Sequence, residues 1–189
     1  MNLKKQSFQF FVIYAAGALL LAVDFAIKAI ANRTLPYQET VATALPFLHW
    51  YRTHNTGYHF ILGNIGNHQL WAIIGLFFVI LLIGLLSRSF LRERLSRSDR
   101  IIYMLLIPLM IGASGNVLEV LIMGHATDYF VFRPLPWPSN ISDQYINAII
   151  YIMMPIMIIK SILDKRHQKG AESQEPSAES PAPPAKETD

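Results

Sequence analysis

Residues 70–86 read LWAIIGLFFVILLIGLL, an apolar run without a single charged side chain. A run of roughly 17 to 25 apolar residues is long enough to cross the ~30 Å hydrocarbon core of a membrane as a helix. Lipid offers no partners to backbone N–H and C=O groups, so such a segment has to be helical. This stretch therefore predicts a membrane-spanning helix and places the chain among integral membrane proteins.

Three further apolar blocks accompany this run. The four blocks are Phe8–Ala31, Leu70–Leu86, Ile101–Met123 and Ile146–Leu163. They predict an all-α membrane protein with four transmembrane helices. The first block could also be read as a cleaved signal peptide ending near Ala31, but it is too long for a signal-peptide core and Asp24 and Lys28 interrupt it.

Basic residues cluster in three segments, which the four spans place on the same side of the membrane. They are Lys4 and Lys5, then Arg88, Arg92, Arg94, Arg97 and Arg100, and finally Lys165, Arg166 and Lys169. Loops rich in Lys and Arg stay in the cytoplasm. We therefore predict that both termini are cytoplasmic and that the connections 32–69 and 124–145 lie outside.

The segments outside the four apolar blocks differ in composition. The 32–69 connection is long and aromatic, which predicts short strands or an interfacial segment with an ordinary aromatic belt. Residues 1–169 are predicted to form one membrane domain, and residues 170–189, rich in Glu, Ser, Ala and Pro, a disordered cytoplasmic tail.

The 189 residues contain no cysteine, which excludes disulfides, thiolate nucleophiles and thiolate metal sites. Any chemistry must come from the helices and their connections.

Asp24 and Lys28 lie in the last turns of the first block, four residues apart and therefore on one helical face. A carboxylate at membrane depth is costly and by default indicates a functional or pairing role. The alternative is a structural pair that reaches the outer interface and orients the helix. The sequence leaves both interpretations open.

Other polar residues occur in short motifs. Asn55-Thr56-Gly57 is a common turn sequence and by itself weak support for a function. The glycines of Gly112–Asn116 predict close helix packing, whereas the Asn116 amide needs partners at depth. Glu119 follows one helical turn later, near the outer end.

Asp128 and Asp143 flank the short outer connection between the third and fourth blocks. The connection brings the two carboxylates to one level, although each could be a loop residue, and Asp143 could cap a helix. Two carboxylates in contact share a proton, so one can take a proton from water while the other donates to a carbonyl oxygen. That arrangement would hydrolyse a peptide without a metal or a covalent intermediate.

Five short motifs, in order over roughly residues 8 to 163, resemble those of signal peptidase II, the lipoprotein signal peptidase of bacterial inner membranes. The matching segments are Asp24-Phe25-Ala26-Ile27-Lys28, Asn55-Thr56-Gly57-Tyr58-His59-Phe60, Gly112–Asn116, Thr127-Asp128-Tyr129-Phe130 and Asn140-Ile141-Ser142-Asp143. Each motif alone is weak, but their shared order, together with the matching spans and orientation, makes the resemblance strong.

The resemblance implies a monomeric, multi-pass aspartyl endopeptidase of the bacterial inner membrane, without cofactor or metal. Its partners would be membrane phospholipid and prolipoproteins whose cysteine bears a diacylglyceryl group, not nucleic acid, with cleavage just before that cysteine at the outer face. Asp128 and Asp143 would be catalytic. The site-supporting or substrate-binding residues would be Asp24, Lys28, Asn55, Gly57, Asn116, Glu119 and Asn140.

The chain also departs from the family pattern. Glu119 replaces an aspartate, Val120 replaces an arginine, Tyr58-His59 replaces two alanines, and the connection from Asp128 to Asp143 is short. Valine cannot supply the fork of donors of an arginine, for which Arg133 or His125 are the candidate substitutes. The departures indicate a divergent member, and keep open a non-catalytic relative that binds lipoprotein precursors or lipidated ligands. An ion- or proton-handling protein fits less well, because the acidic residues gather near the outer helix ends.

Overall fold

A computed structural model of the chain describes residues 3–56, 67–92, 95–135 and 137–172. Its helices are α1 (Leu3–Thr34), α2 (His68–Phe90), α3 (Arg97–Ala113), α4 (Gly115–Met123), α5 (Ile141–Ala148) and α6 (Met154–Glu172), with a π-helical turn at Ile149–Met153. Its strands are β1 (Thr40–Ala42), β2 (Leu48–Asn55), β3 (Ala126–Phe132) and β4 (Pro138–Ser139). Gly57 and residues 173–189 of the predicted tail lie outside the described residues, so the division at 169/170 stays a prediction.

Among the described residues, four helical segments are long and apolar enough to span a membrane, which confirms the predicted spans. They are Gln6–Thr34, His68–Phe90, Arg97–Met123 and Ile141–His167. Large apolar side chains such as Phe11, Phe77 and Tyr151 point away from the bundle, as lipid-facing residues do. The fourth segment begins at Ile141, before the predicted Ile146, because its first turn is polar and hydropathy alone does not reveal it.

The third span is divided at Ser114 into α3 and α4. Two glycines beside this break permit close contacts. A Cβ at Gly112 would lie 2.7 Å from the Tyr145 ring, and one at Gly115 would overlap the Asp24 carboxylate. The predicted role of these glycines in close helix packing is therefore confirmed.

A four-stranded antiparallel sheet in the order β1-β2-β3-β4 lies at the end of the bundle where α1 ends and α5 begins. The strands expected between the first two spans are present as β1 and β2. The other half of the sheet was not predicted, because residues 126–132 were interpreted as a loop. The first five residues of β3 are buried, so this strand lacks the alternating pattern of a half-exposed strand.

Two apolar clusters hold the bundle and the sheet. Ile13, Phe90 and Ile107 form the cluster in the helical part. Ala31, Tyr129 and Phe130 form the other, which packs β3 against the end of α1. The second cluster fixes the strand that carries Asp128 beside the first span.

Candidate functional site

Asn140 joins the two aspartates that the sequence analysis singled out. Its side-chain amide donates to Asp128 Oδ1 at 2.6 Å, and its backbone N–H donates to Asp143 Oδ2 at 3.0 Å. Asp128 and Asn140 are buried, whereas Asp143 is half-buried. The predicted meeting of the two carboxylates at one level is confirmed by these shared contacts.

The first turn of α5 places Asp143. Asn140 is the N-cap, and its Oδ1 accepts the Asp143 backbone N–H at 3.1 Å. Asp143 returns a bond to the Asn140 N–H, which completes a capping box. The cap role considered for Asp143 therefore belongs to Asn140. Asp143 sits three residues into the turn, where Ser139 Oγ also donates to it at 3.2 Å.

Lys28 lies at the centre of a buried polar cluster, which we call the Lys28 cluster: Asp24, Lys28, Asn116 and Glu119. Its ammonium is 2.8 Å from the Asp24 carboxylate and 2.9 Å from that of Glu119. Asp24 and Lys28 are 0% and 2% exposed, so the interpretation of a pair reaching the interface is wrong. The predicted pairing itself is confirmed.

Asn116 connects the Lys28 cluster to the aspartates. Its Oδ1 accepts from Lys28 Nζ at 2.6 Å, and its Nδ2 donates to Asp143 Oδ1 at 2.7 Å. The partners that its amide was expected to need are therefore a buried cation and Asp143. This orientation presents donors to Asp143 and acceptors to Lys28, as the charges require.

Glu119 attaches the Lys28 cluster to β3. Its two oxygens accept from the backbone N–H of Thr127 at 3.0 Å and from the Thr127 hydroxyl at 2.6 Å. Asn32 Nδ2 donates to the same hydroxyl at 3.2 Å. Thr127 directly precedes Asp128, so α1 and α4 both fix the strand next to that carboxylate.

Asn55, at the end of β2, donates to Asp128 Oδ2 at 3.2 Å. The register pairs Asn55 with Ala126, which brings its amide across the strand to the carboxylate. Gly57 lies outside the described residues. All eight of the predicted site residues that are described thus join one hydrogen-bonded network. Asp24 joins it through its ion pair with Lys28 and by accepting the Ser142 N–H of α5.

Sequence reasoning missed several residues that hold this network together. They include Asn32, Thr127, Tyr129, Ser139 and Ser142. Each is a common residue in a helix or strand, and its role depends on a partner far away in the chain. The Ser142 N–H, for example, donates to Asp24 Oδ1 at 3.2 Å across 118 positions.

Burial and the nearby Asp143 raise the pKa of Asp128 to about 7, although hydrogen bonds from Asn140 and Asn55 oppose the shift. Near neutral pH this carboxyl group therefore exchanges a proton readily. A carboxyl group with a pKa near the working pH, beside a second one, is suited to general acid–base chemistry. Among the described residues no group of three or more His, Asp or Glu is arranged to hold a metal.

Val120 is half-buried on α4, next to Glu119. Arg133 is exposed and lines a pocket on the sheet with Thr40 and His49. His125 stacks on His54 with ring centroids 3.9 Å apart. Neither candidate substitute for the missing arginine makes a hydrogen bond or ion pair with Asp128 or Asp143 in the part of the chain that is described.

Comparisons with known proteins agree with this architecture. A family model described as Signal peptidase (SPase) II matches residues 16–160. A lipoprotein signal peptidase of Xanthomonas oryzae pv. oryzae is 35% identical over 137 residues, covering 69% of this chain and 78% of that protein. One of Xylella fastidiosa is 34% identical over 154 residues, covering 78% of this chain and 86% of that protein.

Two solved structures share the fold. One, described as a bacterial membrane enzyme structure at 1.9 Å resolution, has a TM-score of 0.63 at 18% identity and covers 78% of this chain and 92% of its own. The other, at 2.3 Å resolution, has a TM-score of 0.60 at 16% identity and covers 88% and 94%. At these identities the likeness supports the fold alone.

Proposed function

The chain belongs to the signal peptidase II family, and from that premise we propose that it is an aspartyl endopeptidase that removes signal peptides from diacylglyceryl-modified prolipoproteins. Family membership and four spans make it a multi-pass bacterial membrane peptidase. The proposal adds the catalytic groups, the lipidated substrate and the cleavage position before the modified cysteine. It also places cleavage at the outer face of the inner membrane, with both termini cytoplasmic.

One observation carries the mechanism: Asn140 contacts Asp128 through its side chain and Asp143 through its backbone. A single residue thus holds both carboxylates on one site, as a pair that shares a proton requires. Asp128, whose pKa is about 7, supplies the proton to the scissile carbonyl oxygen. Asp143 is then the base that takes a proton from the attacking water.

The remaining steps follow from the same pair. Water adds to the carbonyl carbon as its proton passes to Asp143 and the Asp128 proton passes to the carbonyl oxygen. The tetrahedral intermediate collapses when Asp143 returns its proton to the leaving nitrogen and Asp128 recovers its own. Asn116 and Lys28 keep Asp143 in place through their hydrogen bonds during both transfers.

The location of the site fits an outer-face reaction. The sheet and both aspartates lie at the bundle end opposite the Arg-rich connection between the second and third spans. Since Arg-rich loops remain cytoplasmic, the site faces outward. A diacylglyceryl substrate held in the membrane would present its cysteine at that level, with its lipid chains against the apolar helix faces.

Cleavage of a synthetic prolipopeptide by the purified protein tests the proposal. Asp128→Asn and Asp143→Asn should each lower turnover by at least about a hundredfold, since each removes a general acid or base. Asp99→Asn, which removes an aspartate paired with Lys160, is the matched control and should keep activity. Near-normal turnover by either site variant would refute the mechanism, and equal cleavage of the unlipidated peptide would refute the substrate class.

A non-catalytic relative that binds lipoprotein precursors is the second candidate, and it rests on Val120 in place of the family arginine. Complementation separates the two. Growth of a strain that lacks its own lipoprotein signal peptidase, restored by this chain but not by its Asp143→Asn variant, supports the enzyme. Binding of the lipidated precursor by a well-expressed chain that does not complement supports the alternative.

A further inference from the structure

Tyr129 connects the segments that carry the two aspartates. It follows Asp128 on β3, and its hydroxyl accepts the backbone N–H of Ile141 at 3.1 Å. Ile141 is the first residue of α5, two positions before Asp143. The Tyr129 side chain therefore links the strand position next to Asp128 to the start of the helix that carries Asp143.

The ring of Tyr129 is itself fixed. It is 3% exposed and packs with Ala31 and Phe130, meeting the Phe130 ring edge-on at a centroid distance of 5.2 Å. Buried aromatic pairs of this geometry restrict ring movement. The hydroxyl consequently has a defined position relative to β3, so its bond to Ile141 transmits that position to α5.

The first turn of α5 shows why this bond matters. A helix start leaves backbone N–H groups without partners in the helix, and here each of the first three finds an acceptor from a different source. Ile141 uses Tyr129, Ser142 uses Asp24 Oδ1 at 3.2 Å, and Asp143 uses Asn140. Of these three, only the Tyr129 bond joins α5 directly to the strand that carries Asp128.

The hydroxyl remains protonated at all working pH values. Burial raises the pKa of Tyr129, the Ile141 N–H lowers it by a smaller amount, and Asp24 raises it further. The group is therefore a neutral acceptor for the Ile141 amide rather than a phenolate. Its contribution is to hold position, not to exchange protons with the substrate.

We propose that Tyr129 is a positioning residue of the peptidase, whose hydroxyl fixes the separation of Asp128 and Asp143 by anchoring the start of α5 to β3. The proposal rests on the aspartyl mechanism proposed above. It names a role for a residue that contacts neither reacting carboxylate through its side chain.

Two variants break the same bond from opposite sides. Tyr129→Phe keeps the ring and removes the acceptor. Ile141→Pro removes the donor without leaving an N–H unpaired, since proline is favoured at the first helical position. The extended backbone of Asn140 (φ −134°, ψ −179°) suits a residue that precedes proline. The matched control is Tyr145→Phe on α5, which removes a hydroxyl that lies 3.5 Å from the Leu20 carbonyl oxygen of α1.

With a lipidated prolipopeptide and the purified full chain, we expect each variant to lower kcat by about tenfold, within the range for a lost hydrogen bond near charged groups, with KM almost unchanged. The basic limb of the pH–rate profile should move to lower pH, because a more distant Asp143 raises the pKa of Asp128 less. The double variant should cost no more than either single one, since both remove one bond. Tyr145→Phe should keep the profile of the unmodified chain.

An unchanged kcat and pH profile in Tyr129→Phe would overturn the inference, as would fully additive effects in the double variant. A lower melting temperature with the pH profile unmoved would reduce Tyr129 to a structural residue and also overturn it. If Tyr129→Phe does not fold, Ile141→Pro decides alone by the same two measurements. Loss of activity in Asp128→Asn and Asp143→Asn would leave the aspartyl mechanism standing in any of these cases.

Discussion

Two lysines in this protein have the same local setting at opposite ends of the bundle. Lys28, at the end that carries the sheet, lies 2.8 Å from Asp24 and 2.9 Å from Glu119. Lys160, at the opposite end, lies between two carboxylates as well, with Asp99 at 2.9 Å and Asp164 at 2.5 Å. In each case one partner is four residues away on the same helix and the other comes from a different helix.

Burial and further connections distinguish the two. Lys28 is 2% exposed and also donates to Asn116, which donates to Asp143. Lys160 is 19% exposed and its partners are more exposed still. The same charge pattern thus has two different roles. Around Lys160 it forms two solvated ion pairs, whereas around Lys28 it supports the proposed catalytic pair. Sequence spacing predicts the ion pair but not which of these roles it has.

The largest predicted difference comes from removing each ammonium. Lys28→Met leaves two buried carboxylates without a cation, and breaking a buried pair in this way costs about 3–5 kcal/mol. We expect a large drop in melting temperature and no detectable peptidase activity. Lys160→Met should stay within about twofold of the unmodified activity, because exposed ion pairs contribute little.

Melting of the detergent-solubilised proteins and cleavage of the lipidated peptide measure both effects. If the two variants behaved alike, the distinction between the two lysines would fail. A Lys28→Met protein that keeps its stability and loses only activity would also be informative, since it would show that the buried carboxylates take up protons instead.

Removing one hydrogen-bonded link should have a smaller effect. Asn116→Ala cuts the connection between Lys28 and Asp143. It leaves the Lys28 ammonium and its two carboxylate partners, Asp24 and Glu119, in place. A hydrogen bond to a charged group contributes about 1.5–3 kcal/mol, so kcat should fall by roughly 10- to 100-fold with KM little changed. Asn147→Ala, which removes an exposed amide that donates to Gln144 on α5, is the control.

A rise in KM with kcat unchanged would indicate that Asn116 contacts the substrate instead of orienting Asp143. Equal losses in Asn116→Ala and Asn147→Ala would contradict the link altogether. Steady-state cleavage at several peptide concentrations separates these outcomes.

Much of the architecture could be predicted because membrane spans depend on local composition. The four apolar blocks, the i, i+4 pairing of Asp24 with Lys28 and the small residues at Gly112 and Gly115 are all readable within a few neighbouring positions. The need of the Asn116 amide for partners at depth was also readable from the sequence. The family resemblance added Asn140, whose partners the structure then identified. For the membrane core, local pattern and global fold agree.

Non-local contacts account for what could not be predicted. Strand β3 is recognisable only through its pairing with β2, about 70 positions away, since its own residues lack alternation. Thr127 and Tyr129 look like ordinary strand residues until Glu119 and Ile141 are placed beside them. The burial of Lys28 likewise depends on α4, so its spacing from Asp24 suggested an interfacial position equally well.

The smallest predicted effect concerns stability, and it bears on why the end of the bundle that carries the sheet is built as it is. The pKa of Asp128 is about 7 in the folded chain, against an ordinary value of 3.8. Between about pH 4 and 7 the folded protein therefore holds a proton that the unfolded chain has released, and the stability from that proton is lost as the pH rises through 7. Asp128→Asn cannot ionise, so it should not show this loss.

We therefore expect Asp128→Asn to gain at least about 4 °C in melting temperature over the unmodified chain on going from pH 5 to pH 8, although it is inactive. The two proteins are compared by how much the melting temperature of each changes between the two pH values. The melting temperatures themselves are not compared, because the new amide also alters the contact with Asn55 at either pH. Asp99→Asn at the opposite end of the bundle should show no such gain. If the gain were absent, Asp128 would not be a carboxyl group kept partly neutral by burial and by Asp143. If present, it would show that the end of the bundle that carries the sheet gives up stability to keep a proton available, whereas the opposite end, with the same local charges, does not.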